Sequence, residues 1–446
     1  MRSFLRVTGV ALAVWSTYAT AEGASCAAPD KDKLTTQQQL ECVKNATLLL
    51  PQPTLTAEQV TMGPDFVAGD DSKRFLYFTA DDQPVCFFKP HYAFSKVPGV
   101  SLKFRCWPMN AERSFLGKDG KPLKVTGTIS VVLDTNKDGE KRGQLVDVQA
   151  SGEQVKLKPD ELKIKYLDPP FPGHNTRYNE VFTEVAATRF MWVLGFIADR
   201  AYSVGGAECV GCGARPFQDK QQSNKAKPPD HGTVFKVVSA EREHPFDALK
   251  ANGEEYWSWP NAANFYQNGW TQEQRVQFDA YRLALRLINY HNDVEQQNRV
   301  VCAKWKNDDD HSGVCDQPMI LVQDLGSTFG KPKGSIFGDN SRGRFKHWVT
   351  QTVFKSGGQC ELLHPLDADP RVFAAAQTLL VERLARLDRP TVESIFRVAR
   401  FDQMDKEQLD RLANAHAPDV KAAALKEWTD AFMARIAEIK SVTGCK

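Results

Sequence analysis

The sequence predicts an α+β protein with a strand-rich first half and a helical second half. Three observations carry this. Between residues 101 and 167, runs rich in Val, Ile, Leu and Phe are cut by Gly, Asn and Asp turns. From about residue 270 onward, apolar residues recur at helical spacing. Between the two lies one long apolar stretch, Val181 to Leu194, closed by Gly195. Strands followed by helices, without regular alternation, point to segregated layers rather than a doubly wound parallel sheet.

The elements follow in order. Residues 1–21 read as an export signal: Arg2 and Arg6, then the apolar run Val7 to Trp15, then Ala19-Thr20-Ala21 as a small-x-small cleavage site. A lipid-anchored Cys26 lacks the expected leucine upstream. Residues 22–95 are polar with short patterns and read as an N-terminal extension. Ser101–Cys106, Val125–Leu133, Gln144–Gln149 and Glu161–Leu167 read as strands. A helix follows, capped by Asn179 or Thr176, with Val181, Val185, Thr188, Phe190, Trp192 and Leu194 as its apolar stripe. Val234–Val238 reads as a further strand. Gln274–Tyr290 is an amphipathic helix with Phe278, Tyr281, Leu285 and Ile288 on one face, and Met319–Val322 is a short apolar strand. Residues 371–388, 390–400, 405–414 and 419–441 complete the chain as helices. The expected organisation is extension 22–95, strand-rich lobe 96–240 and helical lobe 241–446.

Composition narrows the function. The 446 residues are 42% hydrophobic and 25% charged, with a formal net charge of +2. That suits an ordinary globular core and gives no electrostatic footprint for nucleic acid. No apolar run reaches the roughly 18 residues of a transmembrane helix. Ten cysteines, all after the cleavage site, fit disulfides in a secreted or periplasmic protein. Spacing suggests Cys26–Cys42, Cys86–Cys106, Cys209–Cys212, Cys302–Cys315 and Cys360–Cys445. The C-x-x-C at Cys209 and Cys212 is also half of a zinc site, although no second half lies nearby.

The chemistry-bearing text is His291-Asn-Asp293-Val-Glu-Gln-Gln-Asn298, followed by Asp324-Leu-Gly326 directly after the apolar strand. The first is H-x-D-x-x-x-x-N, placed after a long helix. Taken alone, His291, Asn292 and Asp293 are more often a helix end, and Lys165 is more often a solvated strand lysine. Together with Lys165 on a strand and Glu180 and Glu184 one helical turn apart on the next helix, the pattern resembles the protein-kinase-like superfamily. Glu184-Val-Ala-Ala-Thr-Arg189 and Gln323-Asp-Leu-Gly326 also resemble an uncharacterised family of exported bacterial proteins with this layout.

The resemblance implies a bilobal protein-kinase-like fold and an atypical phosphotransferase that uses ATP and Mg²⁺. Its partners are the nucleotide and a protein or small-molecule acceptor. Phosphoryl transfer needs positioning and charge neutralisation more than covalent help. Lys165, with Lys163 as a rival, sits on the phosphates and Glu184 orients it. Asp293 accepts the proton of the attacking hydroxyl, and Asn298 and Asp324 hold Mg²⁺. Gly326 permits a sharp turn. The pattern departs from the superfamily at Asn292, which replaces an arginine, and at Glu295, which replaces a lysine. It also lacks a G-x-G-x-x-G loop and an A-P-E element. These departures leave a second expectation, a catalytically inactive kinase-like binding protein of the cell envelope. Asp134-Thr-Asn-Lys-Asp138-Gly139 resembles half a calcium loop, but Leu145 stands at the twelfth position, so a hairpin turn is expected. No G-x-S-x-G or H-E-x-x-H motif is present.

Overall fold

The computed structural model describes residues 24–56, 60, 88–90, 102–107, 114–116, 122–124, 129–135, 141–143, 148–150, 153–155, 162–166, 179–204, 206–210, 233–242, 244, 246–290, 297–307, 311–330, 343–356, 360–363 and 369–446. It is a mixed α+β molecule. The expected signal 1–21, Asp293 and its neighbours 291–296, and Thr176 lie outside these residues. So do Cys86 and Cys212, and with them the Cys86–Cys106 pair and both readings of Cys209 and Cys212.

The sheet that carries Lys165 is built around Leu162–Tyr166, whose Leu-Lys-Ile-Lys-Tyr text has the two-residue period of a strand. It pairs antiparallel with Val238–Arg242 and parallel with Phe88–Pro90. Val238–Arg242 in turn pairs antiparallel with Arg200–Val204. A strand from the expected extension therefore joins this sheet.

The helix Glu180–Leu194 packs on the same sheet. Asn179, expected as its cap, has helical dihedrals and makes no capping bond. Its Nδ2 instead donates to the Gly343 carbonyl at 3.4 Å. The helix stops at Gly195, whose φ of 87° lies in the left-handed region. Any Cβ there would meet Arg383 Nη1 at 2.2 Å. The expected single apolar stripe is too narrow a description, because every residue of this helix except Trp192 is buried. The sheet covers one side, and Ala374–Leu384 and Arg389–Val398 cover another. Its polar residues Glu180, Glu184, Thr188 and Arg189 are thus carried into the interior.

A second sheet holds Asn298–Cys302 antiparallel to Pro318–Val322, with Ile197–Ala198 and Asp247–Ala248 at its edges. The connection between the two central strands is the hairpin Trp305–Asn307 and Ser312–Cys315, tied by the Cys302–Cys315 disulfide. Cys26–Ala28 adds a third strand to that hairpin. The helix Thr36–Asn45 begins at a capping box of Thr35 and Gln38 and is bonded back through Cys26–Cys42. Thr47 N donates to the Pro318 carbonyl at 2.9 Å, and Leu50 N donates to that of Gly195 at 2.9 Å. Residues 24–50 are therefore stitched into the molecule next to the second sheet.

The helical half contains Gln272–Leu287, Ala374–Leu384, Arg389–Val398, Lys406–Asn414 and Val420–Ser441, close to the expected spans. Asp388, Asp405 and Asp419 cap the last three through their carboxylates. Trp259–Asn268, with Pro260 in its first turn, was not expected from periodicity. Phe190, Phe329, Phe396, Phe401, Trp428 and Phe432 form the aromatic heart of this half, with Phe190 stacked on Phe432 at 4.2 Å. The Cys360–Cys445 bond fastens the C-terminus to it. Among the described residues no helix is long and apolar enough to cross a membrane. The strands Ile129–Thr135 and Lys141–Gly143 pair antiparallel, and residues 136–140, where the hairpin turn is expected, lie outside the described residues.

Candidate functional site

Lys165 is placed by its strand beneath the helix Glu180–Leu194. Its Nζ is 1% exposed and lies among four carboxylates. Glu184 is 2.8 Å away and Asp324 is 2.9 Å away. Glu241 is at 3.3 Å and Glu180 at 3.6 Å. Three chain-distant elements supply them: the helix, the neighbouring strand Val238–Arg242, and the turn after Pro318–Val322. Glu180 also sits in the first helical turn, where the helix dipole favours an anion. Burial alone would lower the Lys165 pKa, but the charges of Asp324, Glu184 and Glu241 outweigh it and hold it well above the usual 10.5. Lys165 is therefore a permanent cation at neutral pH.

Asp324 has a φ of 50°, in the left-handed region that few non-glycine residues adopt. Such a conformation costs about 1–3 kcal/mol, and Asp tolerates it better than most. The turn is held from both sides. Gln297 Nε2 donates to Asp324 Oδ2 at 3.3 Å, and Thr183 Oγ1 donates to the Gly326 carbonyl at 2.6 Å. Gly326 does not serve the turn in the way expected, because the positive φ belongs to Asp324. It is needed for close approach: a Cβ at this position would lie 2.7 Å from Glu180 Cγ.

Asn298 begins the strand opposite Val322, two residues before Asp324. Its Nδ2 donates to the Trp257 carbonyl at 3.2 Å, which turns the amide oxygen the other way. Asp324 and Asn298 present the hard oxygen donors that Mg²⁺ takes. Among the described residues no three His, Cys, Asp or Glu side chains are arranged to hold a metal ion.

Of the expected site residues, the fold thus brings Lys165, Glu184 and Asp324 into direct contact and sets Gly326 against Glu180. Asn298 is on the adjoining strand, and Asp293 lies outside the described residues. Sequence reasoning missed Glu241 and Gln297. Glu241 was missed because the strand was expected at 234–238. The chain instead breaks at Lys236-Val237 and resumes as Val238–Arg242, which carries Glu241 alongside the Lys165 strand. Gln297 is adjacent to Asn298, but no feature of the motif marks it.

A cavity of about 240 Å³ lies on the other face of the Asn298–Cys302 and Pro318–Val322 pair, lined there by Arg299, Val301, Leu321 and Gln323. Ion pairs bridge its rim: Lys31 to Asp247 at 2.5 Å and Lys250 to Asp32 at 2.9 Å. It is separate from the Lys165 cluster.

No known family model matches the chain, and no curated protein is similar to it in sequence. Among solved structures, that of a Helicobacter pylori proinflammatory kinase, CtkA, is similar at 13% identity and a TM-score of 0.32, covering 70% of this chain and 97% of that one.

Proposed function

We propose that this chain is an exported, atypical phosphotransferase of bilobal protein-kinase-like fold that uses Mg-ATP and transfers phosphate to a protein or small-molecule acceptor. The observation that carries the proposal is the contact of Lys165 Nζ with Glu184 and Asp324, contributed by a strand, the following helix and a post-strand turn far apart in sequence. In this reading Lys165 binds the nucleotide phosphates and Glu184 holds its ammonium in place. Asp324 and Asn298 would hold Mg²⁺, and the ion would supply neutralisation of phosphate charge. Asp293 takes the proton from the acceptor hydroxyl as that hydroxyl's oxygen bonds the γ-phosphorus and the bond from the γ-phosphorus to the β–γ bridging oxygen breaks, leaving ADP. The disulfides Cys26–Cys42, Cys302–Cys315 and Cys360–Cys445 support export to an oxidising compartment, either the periplasm or the exterior.

The test is thermal unfolding of the purified protein with Mg-ATP. Wild type is expected to gain stability with Mg-ATP, and Asp324→Ala to lose that gain while staying folded. A wild type indifferent to Mg-ATP overturns the proposal.

One observation favours a second reading, a catalytically inactive binding protein on the same scaffold: the ammonium of Lys165 is already surrounded by carboxylates. Transfer of label from γ-labelled ATP to the protein itself, or to an envelope lysate, separates the two. Transfer that disappears in Asp293→Ala excludes the inactive reading, and nucleotide binding without transfer supports it.

A further inference from the structure

We infer that Gln297 is a third oxygen ligand for the divalent cation of the Asp324 site; the inference rests on the phosphotransferase reading of that site. Three facts place it there. Its Nε2 donates to Asp324 Oδ2 at 3.3 Å, while Lys165 Nζ donates to Asp324 Oδ1 at 2.9 Å. Its carbonyl accepts from the Gln323 amide at 2.9 Å, so its backbone is tied to the residue before Asp324. Asn298, the next residue along, is held opposite Val322 by the strand pairing. Gln297, Asn298 and Asp324 are thus gathered at the ends of two paired strands.

The two amides are not equivalent. Asn298 Nδ2 donates to the Trp257 carbonyl at 3.2 Å, which fixes the direction of that amide from behind. The Gln297 amide takes its direction from the Asp324 carboxylate itself. An amide carries a donor and an acceptor on one planar group. Its terminal torsion is broad and roughly two-fold, so half a turn exchanges Nε2 for Oε1 at small cost. Facing a carboxylate, the group presents its N–H. Beside a cation on Oδ2, the N–H is repelled and the amide oxygen is the end that is attracted. The spacing suits the exchange. Neighbouring oxygens around an octahedral Mg²⁺ at about 2.1 Å stand about 3.0 Å apart, and the Gln297 amide already lies 3.3 Å from Oδ2. The backbone need not move, because only the end of the side chain turns.

The test uses Mn²⁺, which takes the same octahedral oxygen sites as Mg²⁺, together with β,γ-imido-ATP on the full folded chain. Mn²⁺ affinity is read from the free-ion EPR signal, and the waters left on bound Mn²⁺ from the relaxation of solvent protons. Gln297→Leu, which removes the oxygen at nearly constant size, is expected to bind Mn²⁺ about tenfold more weakly and to add about one water to the bound ion. Gln297→Glu keeps an oxygen within reach and is expected to retain the wild-type water count. Gln297→Asn is one methylene shorter, is expected to behave as Gln297→Leu does, and carries the test if Gln297→Leu fails to fold. A Gln297 that only orients Asp324 would change the affinity and leave the water count unmoved. A Gln297 that only blocks Oδ2 would give tighter Mn²⁺ binding in Gln297→Leu. Either result overturns this inference alone, as does wild-type behaviour in the folded Leu and Asn variants. Absence of nucleotide-dependent Mn²⁺ binding by wild type overturns the phosphotransferase reading itself.

Discussion

Two buried ionic clusters lie in this molecule, and they are built on opposite principles. In the helical half, Asp279 and Arg282 are both fully buried, one cation to one anion. Both have further partners. Asp279 accepts from Tyr266 Oη at 3.0 Å and from the Phe373 amide at 2.9 Å. Arg282 donates to the Asp369 carbonyl at 2.6 Å and lies over the Tyr266 and Phe278 rings. Among the described residues, Lys165 Nζ lies within 3.6 Å of four carboxylates, each of which has further partners of its own. The one-to-one pair fixes a helix in its core, whereas the Lys165 cluster ties together a strand, a helix and a turn.

The comparison can be broken in several places. Arg282→Met leaves Asp279 buried without its cation and is expected to destabilise by about 3–5 kcal/mol, read from denaturant unfolding, with nucleotide response unaltered in whatever fraction folds. Lys165→Met removes the cation that these four carboxylates share and is expected to cost slightly less, about 3 kcal/mol, because Asp324 can turn to water. Here the pH dependence has a definite sign. The folded pKa of Lys165 is raised above 10.5, so its contribution is full below that value and declines only as pH rises beyond it toward the folded pKa. The stability gap between wild type and Lys165→Met should therefore be flat from neutral pH to about 10 in parallel denaturant titrations.

Gly326→Ala drives a methyl against Glu180 and should destabilise by about 1–3 kcal/mol and weaken Mg-ATP binding by moving the Asp324 turn. Glu241→Gln is expected to have the smallest effect on stability, within about 1 kcal/mol of wild type or on the stabilising side, since it relieves like-charge crowding. A loss comparable with that of Arg282→Met would show that the two clusters are not different in kind.

Much of the architecture was legible because it is local. The spans 390–400, 405–414 and 419–441 expected from periodicity lie within two residues of the helices found, and Gly195 marks a stop through its left-handed backbone. Cysteines 13 and 16 residues apart pair as their spacing suggests. The site was legible only in part. Chain order put Lys165, Glu184 and Asp324 together on paper, but gave no sign that Glu180 would turn inward rather than form a polar face. Gly326 was given a conformational role that belongs to Asp324.

By itself, then, the sequence determined what nearest-neighbour physics controls: helix and strand periods, caps, stops, the short-range disulfides, and which polar residue types stand at the ends of which elements. Tertiary structure alone decided that Glu241 would join Lys165, that the Glu180–Leu194 helix would be buried almost all round, and that Cys26–Ala28 would pair with the Ser312–Cys315 strand beside the second sheet. The reason is that strand partners and helix coverings are chosen by segments tens to hundreds of residues away, and a side chain's charge environment is the sum of what those segments bring.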